Sequence, residues 1–194
     1  MSDERNVEIL RKSDLDFLIC VHYPFIMRSP ILSIPRTGVL NIHPAYLPFN
    51  RGWNTPTWAI LEGTPYGATI HFMNETLDMG DIIGRKELNI EPDDTADSLY
   101  KKVFGVELTL FKEIWPKLVS QQYDRIVQQP DTGTMHKKRD LVSIRCLQMD
   151  KPTTAREVIT QLRALTTNNH DESAYFEEQG KKYRIVISIQ REIE

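Results

Sequence analysis

The chain has 194 residues, 40% of them hydrophobic and 9 of them glycine, enough apolar material for a core and too varied for low complexity. Its 24 Lys and Arg against 27 Asp and Glu leave a net charge of −3, so there is no general positive field to gather nucleic acid. The apolar run at 17–21 is too short to span a membrane, and the charged residues before it are not a signal peptide.

In chain order, "DFLICV" (16–21) reads as a strand covered on both faces of a parallel sheet, with a short buried helix as the alternative. "GVLNIH" (38–43) is a second such run. The segment between them holds Pro24, Pro30 and Pro35 and has room for one short helix at most. "TPTWAILE" predicts a two-turn helix, with Thr55 as N-cap, Pro56 in the first turn and Gly63 at the exit.

"YGATIHFM" (66–73) and "DIIGRKELNI" (81–90), joined by "NETLDMG", read as an antiparallel pair. Asp94 and Asp97 mark the next helix start, and Leu99, Val103, Val106, Leu110, Ile114 and Leu118 follow at helical spacing up to a bend or end near Pro116. From 121 to 140 the sequence is polar and turn-rich, the passage into a smaller unit. There Thr154 and Glu157 form a capping box, and Tyr183, Ile185, Ile187 and Ile189 alternate with polar residues as a half-exposed strand.

Asn41 and His43 stand two positions apart where the second apolar run gives out, and Asp78 lies in the loop of the antiparallel pair. An amide and an imidazole can polarise a carbonyl and hold a developing oxyanion, while a carboxylate fixes the imidazole's orientation. That suits acyl transfer without a covalent nucleophile: no serine sits in a nucleophile elbow, and neither cysteine is next to a base. A strand-end cap is the plain alternative for His43. His71 reads as a sheet-surface or supporting residue, and His22 and His136 have no partner in sequence. No metal is expected, because ligand spacing is lacking and asparagine is a poor zinc ligand. Cys20 and Cys146 form neither a metal spacing nor a disulfide framework, which fits a cytoplasmic location.

"NIHPAYLPFNRG" followed by "YGATIHFMNETLDMGDII" resembles the catalytic core of the folate-dependent formyltransferases. The resemblance implies a Rossmann-like α/β fold, N10-formyltetrahydrofolate as co-substrate, and catalytic roles for Asn41, His43 and Asp78. It implies a pterin pocket built from 23–29 and 73–77, with Phe25, Ile26, Met27, Met73, Asn74, Glu75 and Leu77 as contacts. "NRGWNTPTWAI" and the C-terminal part are similar to the sugar N-formyltransferases, which act on a nucleotide-linked amino sugar; Arg51, Gly52 and Trp53 are then candidate substrate contacts. A nucleotide's diphosphate needs cations, which Lys137, Lys138 and Arg139 could supply, and Tyr175 or Phe176 could stack on the base. A solvated charge run and core aromatics explain those residues equally well.

The resemblance covers about residue 14 to the end. The family's opening strand, helix, strand unit needs roughly thirty residues or more, so the core is expected to be truncated, with an apolar edge strand open to association. The expected layout is a core over 1–125 and a small α+β subdomain over 126–194. A homodimer, or a partner that covers the sheet edge, is expected. The alternatives are a catalytically incomplete folate- or nucleotide-binding fragment, half of a complex, or an enzyme like methionyl-tRNA formyltransferase.

Overall fold

The computed structural model describes residues 4–192. A helix, α1 (Glu4–Lys12), leads into β1 (Phe17–Val21), and a single 3-10 turn at Ile31–Ser33 precedes β2 (Gly38–His43). After β3 (Arg51–Gly52) come α2 (Thr55–Glu62), β4 (Gly67–Phe72), β5 (Ile82–Glu87) and the long α3 (Ala96–Val119). The C-terminal part holds β6 (Met135–His136), a 3-10 helix (Lys138–Ile144), α4 (Ala155–Leu165) and the hairpin of β7 (Ala174–Glu178) and β8 (Lys181–Ile185).

The central sheet has four strands in the order β1-β2-β4-β5. β1 and β2 are parallel, as two apolar runs joined by a long crossover require. β2 with β4 and β4 with β5 are antiparallel, so the sheet is mixed. One sheet face packs on α2 and α3 through Leu40, Ile42, Ile70, Phe72, Leu99, Val103 and Leu110. α3 comes so close that a Cβ on Gly84 would meet Ile114 Cδ1 at 2.7 Å, so β5 carries glycine where the helix crosses it. The other face is covered near β1 by α1, whose Val7 and Leu10 pack with Leu18, Cys20, Met27 and Val39. That helix lies in a stretch from which no element was predicted.

Several expectations need correction. β1 is an edge strand with only Cys20 fully buried and Val21 59% exposed, so its apolar run marks half coverage rather than burial on both faces. Thr55 does not cap α2, because its hydroxyl donates to the Pro44 carbonyl; Asn54, in the left-handed region at φ 56, takes the cap position. α3 is capped by Thr95 and Ser98, while Asp94 is drawn to Lys102 and Ser98 Oγ, each at 2.6 Å. That helix runs through Pro116 and closes at Val119, since the lost amide falls in its last turn. β8 stops at Ile185, because the Ile187 amide leaves the hairpin to donate to Thr166 Oγ1 at 3.1 Å. The capping box of Thr154 and Glu157 forms as predicted.

Candidate active site

β2 carries polar and apolar side chains alternately, and the period of two sorts them. Leu40 and Ile42 enter the core, while Asn41 and His43 share the opposite face. Register then sets Asn41 opposite His71 of β4. The loop after β4 turns back at Asp78, whose backbone is left-handed at φ 50. Asp78 thereby faces both imidazoles, with Oδ2 at 3.6 Å from His43 Nε2 and Oδ1 at 3.7 Å from His71 Nε2.

This loop is held by groups remote in sequence. The Gly52 amide donates to Asp78 Oδ2 at 2.9 Å, which fixes the carboxylate's direction. Position 52 accepts only glycine, since its φ is +93 and a Cβ would lie 2.3 Å from the His136 carbonyl. Gln128 donates from one amide nitrogen to the Asp78 carbonyl at 2.9 Å and the Gly80 carbonyl at 2.8 Å. Gln128 lies in the polar stretch read only as a passage, and nothing in its local pattern singles it out.

The three polar residues of this face are almost dry: Asn41, His43 and His71 are 1%, 5% and 1% exposed. Asn41 Oδ1 accepts from the Tyr23 amide at 3.3 Å, leaving Nδ2 buried without a partner and free to donate. His43 Nε2 likewise has no hydrogen bond. His71 donates from Nδ1 to the Phe72 carbonyl at 2.7 Å, so its bare Nε2 faces Asp78. Burial pushes the His71 pKa down to about 4, against the opposing pull of Asp78, and the ring is neutral at physiological pH. His71 is therefore a buried support beneath the carboxylate and not a sheet-surface residue.

His43 and Asp78 open onto a cavity of about 280 Å³. Gly52, Trp53 and Leu77 also line it, together with His22, Tyr23, Pro24, Tyr100 and, from the C-terminal part, Thr167, Asn168 and Glu172. The other candidate contacts are not part of this lining. Phe25 and Ile26 point outward at 67% and 47% exposed, and Met27 is buried in the cluster under α1. Met73 packs against that same cluster, Asn74 accepts from the Thr76 amide, and Glu75 is exposed. The Arg51 guanidinium turns to Met79 and the Thr132 carbonyl.

The basic run is split. Lys138 stands 5.2 Å from the centroid of Trp53, Lys137 is the N-cap residue of the 3-10 helix, and Arg139 lines a separate hollow with Arg145 and Glu172. Tyr175 lies in the β7-β8 hairpin under Lys182, and Phe176 stacks on Tyr183. His136 stacks on Trp58 at 4.0 Å. His22, which has no partner nearby in sequence, pairs with Glu107 of α3 at 2.6 Å. A charged residue on the apolar stripe of α3 was the available signal, since Glu107 sits four positions after Val103 and three before Leu110.

Comparison with known proteins places this geometry. Residues 1–114 match the formyl transferase family model, starting earlier than the expected residue 14, and 140–191 match the N-formyltransferase dimerization C-terminal domain. A dTDP-4-amino-4,6-dideoxyglucose formyltransferase of Mycobacterium tuberculosis is 29% identical over 97% of this chain and 79% of its own length. The structure of a sugar N-formyltransferase from a Shewanella species superposes with a TM-score of 0.87 at 29% identity, over 99% of this chain and 76% of that one. A formyltransferase of Anoxybacillus kamchatkensis, solved with UDP-4,6-dideoxy-4-formamido-L-AltNAc and tetrahydrofolate, gives a TM-score of 0.63 at 29% identity over 77% of each chain.

Proposed function

The chain belongs to the formyl transferase family, and from that premise we propose that it transfers a formyl group from N10-formyltetrahydrofolate to the amine of a nucleotide-linked amino sugar. The observation that carries this reading is the meeting of His43 and Asp78 at 3.6 Å on one cavity, with an unbonded Asn41 Nδ2 on the same strand face. The relatives support the acceptor class: the mycobacterial enzyme is named for a dTDP-linked amino sugar, and the Anoxybacillus structure holds a UDP-linked formamido sugar beside tetrahydrofolate.

Asp78 accepts a proton from the amine as its nitrogen bonds to the formyl carbon. Asn41 Nδ2 and His43 Nε2, both lacking partners, donate toward the charge that develops on the formyl oxygen. Neither has to break an existing bond to do so, which is what preorganisation means in a dry site. Asp78 passes that proton to His43 across their 3.6 Å contact, and His43 delivers it to the folate nitrogen as the bond between that nitrogen and the formyl carbon breaks, leaving tetrahydrofolate and the formamide. Methionyl-tRNA is the weaker acceptor, because a net charge of −3 offers little for a phosphate backbone.

The C-terminal part, read as 126–194, serves both as a cavity wall and as the surface through which two copies pair. Mass spectrometry of an amino sugar nucleotide incubated with N10-formyltetrahydrofolate should show a formamide product, and light scattering should show a dimer. Full activity in a chain carrying both Asn41→Ala and His43→Ala would end the assignment of roles.

A further inference from the structure

On the α3 side of the cavity runs a second hydrogen-bonded chain that the reaction above does not use. Glu107 is a carboxylate only 5% exposed, in the middle of α3. A buried charge needs a partner, and Glu107 Oε1 has one in His22 Nε2 at 2.6 Å. The imidazole's other nitrogen, Nδ1, lies 3.0 Å from the Tyr100 hydroxyl. The ring cannot turn freely: it stacks on Phe104 at 5.3 Å, and its backbone is fixed in the left-handed region by the His22 amide bonding to the Ile42 carbonyl at 3.0 Å.

An ionised carboxylate only accepts, so the proton on Nε2 belongs to this contact and a neutral ring leaves Nδ1 as the acceptor. In that tautomer Tyr100 spends its hydroxyl proton on His22. Its oxygen is left with lone pairs for the cavity it lines. The surroundings have the same polarity. Asp97 Oδ1 and Asn54 Oδ1 are buried without partners, and Glu172 Oε2 takes the Asn54 amide at 2.9 Å. A wall of acceptors suits a ligand rich in N–H and O–H donors, as an amino sugar is, better than a pterin edge that alternates donors with acceptors.

We propose that Tyr100 is a specificity-determining residue that accepts a hydrogen bond from an amine or hydroxyl of the acceptor sugar, and that His22 and Glu107 are positioning residues that fix the direction of its hydroxyl. This rests on the amino sugar reading of the same cavity. In two-substrate kinetics, Tyr100→Phe should raise KM for the amino sugar nucleotide about three- to tenfold, the worth of one hydrogen bond. KM for N10-formyltetrahydrofolate and kcat should move less than twofold.

Glu107→Gln should raise the same constant, and the double variant should be no worse than Tyr100→Phe alone, because both act on one bond. If Glu107→Gln does not fold, His22→Asn serves in its place. An unchanged KM for the nucleotide sugar, a rise in KM for the folate instead, or multiplying effects would each overturn the proposal. A wild-type chain that forms no product sinks the proposed reaction, yet calorimetry of the nucleotide sugar on wild type and Tyr100→Phe still decides this contact. Equal affinities there, or none in either, refute it.

Discussion

The two faces of β2 differ in how they treat buried groups. Leu40 and Ile42 disappear into a core cluster to which their side chains bring no polar atom. One residue away, Asn41 and His43 are as thoroughly buried and leave Nδ2 and Nε2 without hydrogen bonds. Unbonded buried donors cost stability, so the second face surrenders free energy that the first supplies. A single strand thus separates the work of holding the fold from the work of waiting for a ligand.

Substitution on either face tests that division. Leu99→Ala, under the core face at 0% exposed, should cost about 2–5 kcal/mol in urea unfolding while leaving KM for both substrates unchanged in the folded fraction. Next, His43→Ala should lower kcat about 100- to 1,000-fold, the loss typical of one oxyanion donor, with a smaller drop in stability than Leu99→Ala. A large loss of stability with modest loss of rate would erase the distinction between the faces.

The third test uses pH. His71 titrates in the fold at about 4 instead of the usual 6.5, so on acidification the unfolded chain takes up this proton first. Stability should therefore fall from about pH 6.5 down to about pH 4 and then level off, by about 3 kcal/mol at most for this group. His71→Asn, which keeps a donor for the Phe72 carbonyl, should flatten that slope in chemical unfolding at several pH values. The smallest effect belongs to a region away from both faces: Thr154→Ala removes the α4 cap and should cost about 1 kcal/mol, seen as a small shift in melting temperature.

Sequence reading recovered the features that repeat locally. Alternation and turn residues gave the β4-β5 pair, helical spacing gave α3, a capping box marked the start of α4, and the order of two motifs singled out Asn41, His43 and Asp78, of which the structure sets His43 and Asp78 3.6 Å apart. Features that depend on coverage did not show. DFLICV looks the same whether one neighbour or two pack on it, and α1 has few apolar residues to announce its packing under β1. The cavity's far wall was illegible for a related reason. His22 and Glu107 lie 85 positions apart, and a hydrogen bond between a helix and the bend after a strand leaves no periodic trace. The diphosphate and base contacts were inferred from charge and ring type, and residue type does not say which way a side chain turns.

The seam between α4 and the core bears on how such an enzyme can be divided. Arg163 of α4 donates to the Asp94 and Glu91 carbonyls at 2.7 and 2.6 Å, and Thr57 of α2 donates to the Ala164 carbonyl at 2.8 Å. Thr167, Asn168 and Glu172 follow within one short turn and stand in the cavity. An excised fragment stopping near residue 125 would keep Asn41, His43 and Asp78, the side chains proposed to react, and lose the cavity wall formed by Thr167, Asn168 and Glu172. It would be a reaction centre without a seat, and swapping tails between relatives should transplant sugar preference along with the swapped piece.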